Sequence, residues 1–111
     1  LMSFVSRAHS IVLVNAQHEK KDYTIAKLLN KIAKSLKIKR KNLEKLSFVD
    51  GNMRWLQYTY RKKAGGGFLY ITRHEDVFVY VLIFNFNYSA LANDLPFIER
   101  YIQELSIESD I

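Results

Sequence analysis

Polar and apolar positions follow two periods along this chain, and the switches between them mark out its elements. The most apolar stretch is Val77-Phe78-Val79-Tyr80-Val81-Leu82-Ile83, in which the Tyr80 hydroxyl is the one polar side-chain group. β-branched and aromatic residues suit a pleated backbone. A run apolar at consecutive positions predicts a strand covered on both faces. From Phe84 the pattern alternates, with Phe84, Phe86 and Tyr88 on one side and Asn85 and Asn87 on the other. The run is too short to cross a bilayer as a helix, which takes about 20 apolar residues.

Upstream, Phe4-Val5 and Ile11-Val12-Leu13-Val14 predict one strand, or two short ones around Arg7–Ser10, followed by a polar exit loop over 15–21. Ile25, Leu28, Leu29, Ile32 and Leu36 recur at helical spacing. They predict a helix over 23–35, capped by Asp22 and carrying Lys27, Lys31 and Lys34 on its opposite face. Residues 43–49 and 54–61 read as strands joined by an Asp50-Gly51 turn. In the second of these, Leu56, Tyr58 and Tyr60 share one face, and Trp55, Gln57 and Thr59 the other. A flexible Ala64-Gly65-Gly66-Gly67 hairpin connection leads into a strand over 68–73, and a polar turn at 73–76 leads into the central run. After 89–94 leave the sheet, Asn93 or Asp94 caps a last helix with Pro96 in its first turn and Ile98, Tyr101, Ile102 and Leu105 on its apolar face. Residues 108–111 are expected to fray.

The predicted order is β-α-β-β-β-β-α. Short turns join the later strands, so they should form an antiparallel meander, and two amphipathic helices must cover sheet faces. A central strand that needs cover on both sides places them on opposite sides. The expected class is α+β, an antiparallel sheet with helices packed on both faces, an α/β/α sandwich in one domain over 1–111.

Charge divides the chain. Residues 20–45 hold ten Lys and Arg against Asp22 and Glu44, whereas residues 94–111 hold Arg100 against five carboxylates. The formal net charge of +6 is therefore polarised. No cysteine is present, which excludes a disulfide scaffold and thiolate metal ligation. The first residue is not Met, which points to a processed or truncated product from which a leader or lipid anchor could have been removed.

Several features together resemble the PsbP-like family. These are the strand and amphipathic helix at Ile11–Val14 and Tyr23–Ser35, the turn Val49-Asp50-Gly51-Asn52, the Tyr-rich strand Trp55-Leu56-Gln57-Tyr58-Thr59-Tyr60, the glycine hairpin, the strand Val79-Tyr80-Val81-Leu82-Ile83-Phe84, and the acidic last helix from Asp94 to Leu105. The likeness covers roughly residues 4–107, and the family's usual opening β-hairpin has no counterpart in it. The resemblance implies the same α/β/α sandwich and a mostly non-enzymatic role. Members include extrinsic photosystem subunits, nuclear Ran-binding relatives, bacterial envelope lipoproteins and secretion-associated chaperones. The expectation of an extracytoplasmic or envelope location rests on this resemblance alone. The family carries no catalytic motif to transfer, and fold does not fix role.

Candidate chemistry is sparse. His74-Glu75-Asp76 and His18-Glu19 are the His/carboxylate clusters, and His9 could join His18, but adjacent turn residues do not converge on one ion. These read as solvated turns, with no metal and no cofactor expected. No serine lies in a Gly-x-Ser-x-Gly setting. The glycine run lacks the Lys-Ser/Thr of a phosphate loop and precedes a strand, although Lys62 and Lys63 make it mildly basic. Lys20, Lys27, Lys31 and Lys34, extended by the connector from Lys37 through Lys39 and Arg40 to Lys41, form a basic stripe. It reads as a solvated lysine face or as a dock for an anionic partner. Specific nucleic-acid readers usually present Arg and exposed aromatics, whereas this stripe is nearly all Lys with no interleaved aromatic.

Trp55, Tyr58, Tyr60 and Tyr70 read as core, or as a binding surface if one sheet face is incompletely covered. The expected function is a non-enzymatic protein-interaction module binding a protein partner through a sheet face or the basic helix. Its candidate residues are Lys27, Lys31, Lys34, Lys39, Arg40, Trp55 and Tyr58. The alternative is a basic surface module for anionic lipid or nucleic acid. A homodimer is compatible with either.

Overall fold

The structure, a computed structural model, describes residues 2–5 and 10–106. Its elements are strands β1 (Met2–Val5) and β2 (Ile11–His18), helix α1 (Ile25–Leu36), a 3-10 turn at Arg40–Asn42, strands β3 (Glu44–Asp50), β4 (Arg54–Arg61), β5 (Gly66–His74) and β6 (Val77–Asn85), and helices α2 (Tyr88–Asn93) and α3 (Leu95–Glu104). The order is therefore β-β-α-β-β-β-β-α-α. It opens with two strands, the second of the two alternatives that the sequence left open there, and differs from the sequence reading in closing with two helices. The predicted fraying of 108–111 and the suggested role of His9 lie outside the described residues.

All strands belong to one antiparallel sheet of order β1-β2-β6-β5-β4-β3. The apolar run is β6, and it lies between β2 and β5. The chain opens with an antiparallel β1–β2 pair, where the sequence reading found no opening hairpin. β2 runs on to His18, through the predicted exit loop, because β6 is long enough to pair with it down to His18 opposite Val77. Polar side chains do not end a strand whose backbone ladder continues. Asn15 Nδ2 donates to the Tyr80 hydroxyl at 3.1 Å.

Alternate residues of the sheet enter two separate cores. On one face Tyr58, Tyr60, Leu69, Ile71 and Phe78 pack with Leu28, Leu29, Ile32 and Ala33 of α1. On the other, Trp55, Phe68, Tyr70, Val79, Val81 and Ile83 pack with Leu91 of α2 and Ile102 of α3. The period-2 assignment of the β4 faces holds, as does two-sided cover of β6. Each fully buried large side chain stabilises the fold by roughly 1.5–3 kcal/mol.

The ends of elements depart further from the reading. Thr24, not Asp22, caps α1, its hydroxyl accepting from the Lys27 amide at 3.2 Å. The helix consequently starts two residues later than predicted, at Ile25. β6 stops at Asn85, so Phe86 and Tyr88 do not continue the Phe84 side of a strand. Asn85 is buried and donates to Ser10 Oγ at 2.9 Å, and its own side-chain oxygen accepts from the Asn87 amide at 2.7 Å. Asn87 then caps α2 by accepting from Ala90 at 3.1 Å. Two asparagines thus convert the strand into a helix start, a competition between side chain and ladder for the backbone N–H.

At the far edge, β3 carries a bulge between Lys45 and Ser47. The half-exposed Phe48 ring is covered by the Arg54 guanidinium, 3.8 Å from its centroid. A bulge and flanking cations suppress further strand addition at such an edge. The turn between β3 and β4 closes against α3. A Cβ on Gly51 would overlap the Gln103 backbone, and Asn52 donates its amide to Gln103 O at 2.9 Å and its side chain to Glu104 O at 3.1 Å.

Candidate functional site

The seven residues singled out from the sequence do not form one site. Trp55 and Tyr58 are 1% and 5% exposed. Trp55 belongs to the core under α2 and α3, and Tyr58 to the core under α1. Neither can present a binding surface, because the helices cover both faces of β4. Burial raises the Tyr58 hydroxyl above its ordinary pKa, opposed in part by the Arg40 charge. Lys27, Lys31 and Lys34 lie exposed along α1, and Lys31 donates to Gln17 Oε1 at 3.3 Å. Lys20 does not extend their stripe. It lines a recess at the other end of the sheet with Glu19, Lys21, Arg73, Glu75 and Asp76, where three carboxylates offset its charge.

Lys39 and Arg40 have different neighbours from those the sequence suggested. α1 ends on Lys37 in the left-handed conformation (φ 59°, ψ 42°), with the Lys37 amide bonded back to Lys34 O at 3.1 Å and the Ile38 amide to Ala33 O at 3.0 Å. This Schellman closure turns the connector across the end of the sheet. There it meets the β4–β5 hairpin. Lys37, Lys39 and Lys41 from the connector face Arg61, Lys62 and Lys63 from the hairpin around a recess of about 590 Å³, completed by Ile38 and Asn42. No carboxylate lines it. Arg40 sits in the same connector, its Nη1 donating to Leu43 O at 3.3 Å. These seven side chains carry one more positive charge than the whole chain's formal net +6. The net charge of the molecule is concentrated at one end of the sheet.

The hairpin cations also line a second recess of about 430 Å³ with Gly65, Phe86, Asn87, Tyr88 and Ser89. Again no carboxylate is present. Tyr88 organises this side. Its hydroxyl shares a 2.6 Å hydrogen bond with Thr59 Oγ1, which also donates to Gly67 O at 3.0 Å. Its ring packs near Phe68, and the Arg61 guanidinium lies 4.2 Å from its centroid, a cation–π arrangement. Phe86 is 74% exposed and touches Phe84 edge-on at 5.0 Å. Lysines and one exposed aromatic, Phe86, that are far apart in the sequence therefore line one recess. The only hint in the sequence was the pair Lys62-Lys63 beside the glycine run.

The His/carboxylate clusters remain dispersed. His18 Nδ1 lies 3.8 Å from Asp76 Oδ2, with both side chains exposed. Among the described residues no three His, Asp or Glu side chains gather as a metal would require. Nor is any described helix long and apolar enough to cross a membrane. No protein-family model, curated protein or solved structure matches the chain.

Proposed function

We propose that this protein is a non-enzymatic binding module that docks a polyanionic partner on the cationic end of its sheet. One observation carries the reading: Lys37, Lys39, Lys41, Arg61, Lys62 and Lys63 line a single recess without a carboxylate. Cations brought together by two separate loops repel one another, and an anion in the recess relieves that repulsion. Trp55 and Tyr58 do not support binding through a sheet face, since the helices cover β4 on both sides. The basic surface remains, moved from the flank of α1 to its C-terminal end.

A PsbP-like fold remains our reading of the architecture. It is supported by the sequence features given above and by helices on both sides of an antiparallel sheet.

The test is retention on a polyanion such as heparin, with a salt gradient for elution. The double variant Lys62→Glu/Lys63→Glu should elute at much lower salt, and Lys27→Glu/Lys31→Glu on α1 should elute nearly as the parent does. Equal losses from both variants would reduce the effect to net charge and overturn the assignment of the site.

A further inference from the structure

We infer that the polyanion is a single-stranded nucleic acid, its backbone held by the lysines and a base stacked on Phe86. This rests on the cationic end being the binding surface, and goes beyond it in naming the ligand class. Three observations lead there.

First, the two recesses share Arg61, Lys62 and Lys63. They form one track around the hairpin, with cations along its length and an aromatic ring at one end. Proteins that hold single strands combine a cationic groove with aromatic faces on which bases stack, without reading sequence. Phe86 offers such a face: it is 74% exposed, and its described ring contact is the edge-on one with Phe84. Asn87 and Ser89 beside it supply hydrogen-bonding groups for base edges or sugar.

Second, the cations without a described partner at this end are lysines, Arg61 lying over the Tyr88 ring and Arg40 bonding the Leu43 carbonyl. A lysine is a point charge that can meet the phosphate oxygens of a strand from many directions, without the fixed geometry that base-specific readout needs.

Third, the cations line shallow, open recesses that share the hairpin residues, along which a flexible strand can lie.

Lys37 fits the same reading. It occupies a left-handed position where glycine would be unstrained, and there it contributes a cation to the track.

The experiment is fluorescence anisotropy with labelled oligothymidylate and oligouridylate of about 15 nucleotides, a length that spans the single-strand site sizes of small domains. Inorganic polyphosphate serves as the competitor without bases, and phosphatidylserine vesicles are assayed by co-sedimentation. The expected result is oligonucleotide binding that weakens steeply with salt. Phe86→Ala should weaken it about tenfold while leaving polyphosphate binding unchanged. Preference for oligothymidylate over oligouridylate, or the reverse, separates a DNA from an RNA ligand, and binding of either that weakens in Phe86→Ala supports the inference.

Polyphosphate binding with no effect of Phe86→Ala on oligonucleotides would overturn the nucleic-acid inference and leave the anion site standing. Vesicle binding without oligonucleotide binding would assign the end to membranes. Failure of every anion to bind would overturn the proposed function itself. Phe86 is solvent-exposed, so its replacement leaves the fold intact, and circular dichroism of the variant checks this.

Discussion

The Tyr60 hydroxyl on β4 donates a 3.0 Å hydrogen bond to the main-chain carbonyl of Ile83 on β6, reaching across the intervening strand β5. Gly67 lies between them, and a Cβ there would overlap the Ile83 carbonyl and crowd the Tyr60 hydroxyl. The last two glycines of the run are strand residues, not a loose tip, and at Gly67 the missing side chain lets a tyrosine bridge three strands. Gly67→Ala should destabilise the fold by about 1–3 kcal/mol or more, as overpacking does. Tyr60→Phe, which removes only the buried hydroxyl, should cost about 1–2 kcal/mol. Urea unfolding of the two variants gives both numbers, and a near-neutral Gly67→Ala would show that β5 can move away from β6.

Lys37 predicts the opposite sign. Left-handed backbone at a residue with a Cβ costs roughly 1 kcal/mol relative to glycine. Lys37→Gly should therefore stabilise the protein by about 0.5–1 kcal/mol in the same unfolding assay. It should also weaken polyanion retention by removing a cation from the recess. A variant at once more stable and less retentive would identify a position where binding is favoured over stability.

Trp55 is 1% exposed, and its indole Nε1 has no hydrogen-bond partner. Trp55→Ala should destabilise by about 3–5 kcal/mol through the cavity it leaves. Trp55→Phe should lose considerably less, because it also removes a buried unsatisfied donor that costs about 1–3 kcal/mol. Thermal melts of both variants would check the order. Any binding defect of Trp55→Ala should track its loss of folded protein.

Burial raises the pKa of the Tyr60 and Tyr70 hydroxyls well above the ordinary tyrosine value; at Tyr70 a hydrogen bond from Gln57 at 2.9 Å partly opposes the shift. A folded-state pKa above the unfolded one means that the native state retains protons the unfolded chain has released. The associated stability is complete below the unfolded tyrosine pKa of about 10 and falls as pH rises beyond it. Alkaline titration followed by phenolate absorbance should therefore show a late, cooperative ionisation that coincides with unfolding. Gradual ionisation of all tyrosines near pH 10 would contradict their burial.

Much of the fold was legible in the sequence because its cores obey simple periods. Leu56, Tyr58 and Tyr60 share a face, Ile25 to Leu36 form a helical stripe, and Val77 to Ile83 are covered on both sides. Element ends were less legible. Thr24 outcompetes Asp22 as a cap, and Asn85 and Asn87 end a strand that apolar alternation alone would continue to Tyr88.

The site was the least legible part. Lys39 and Arg40 were singled out, but the hairpin cations beside them were not weighed with them. Lys39 and Lys62 meet only because α1 runs along the sheet and ends beside the β4–β5 hairpin. That is a matter of register and helix length, which no local pattern encodes. The same limit explains Trp55 and Tyr58: their type suits an interface, and only the positions of α1, α2 and α3 show them to be covered.

The position of β6 has a consequence for how the chain reaches this state. Ile11 pairs with Phe84 and His18 with Val77, so β2 finds its inner neighbour only when β6 has been synthesised. β3, β4 and β5 can form a local meander early, but β1 and β2 must wait outside it. Such non-local pairing slows folding. It also leaves β6, the most apolar segment of the chain, with a free edge until β2 docks. A growing polypeptide of this sequence is most exposed to aggregation just after residue 85 emerges, and closure by the N-terminal strands is the step that protects it.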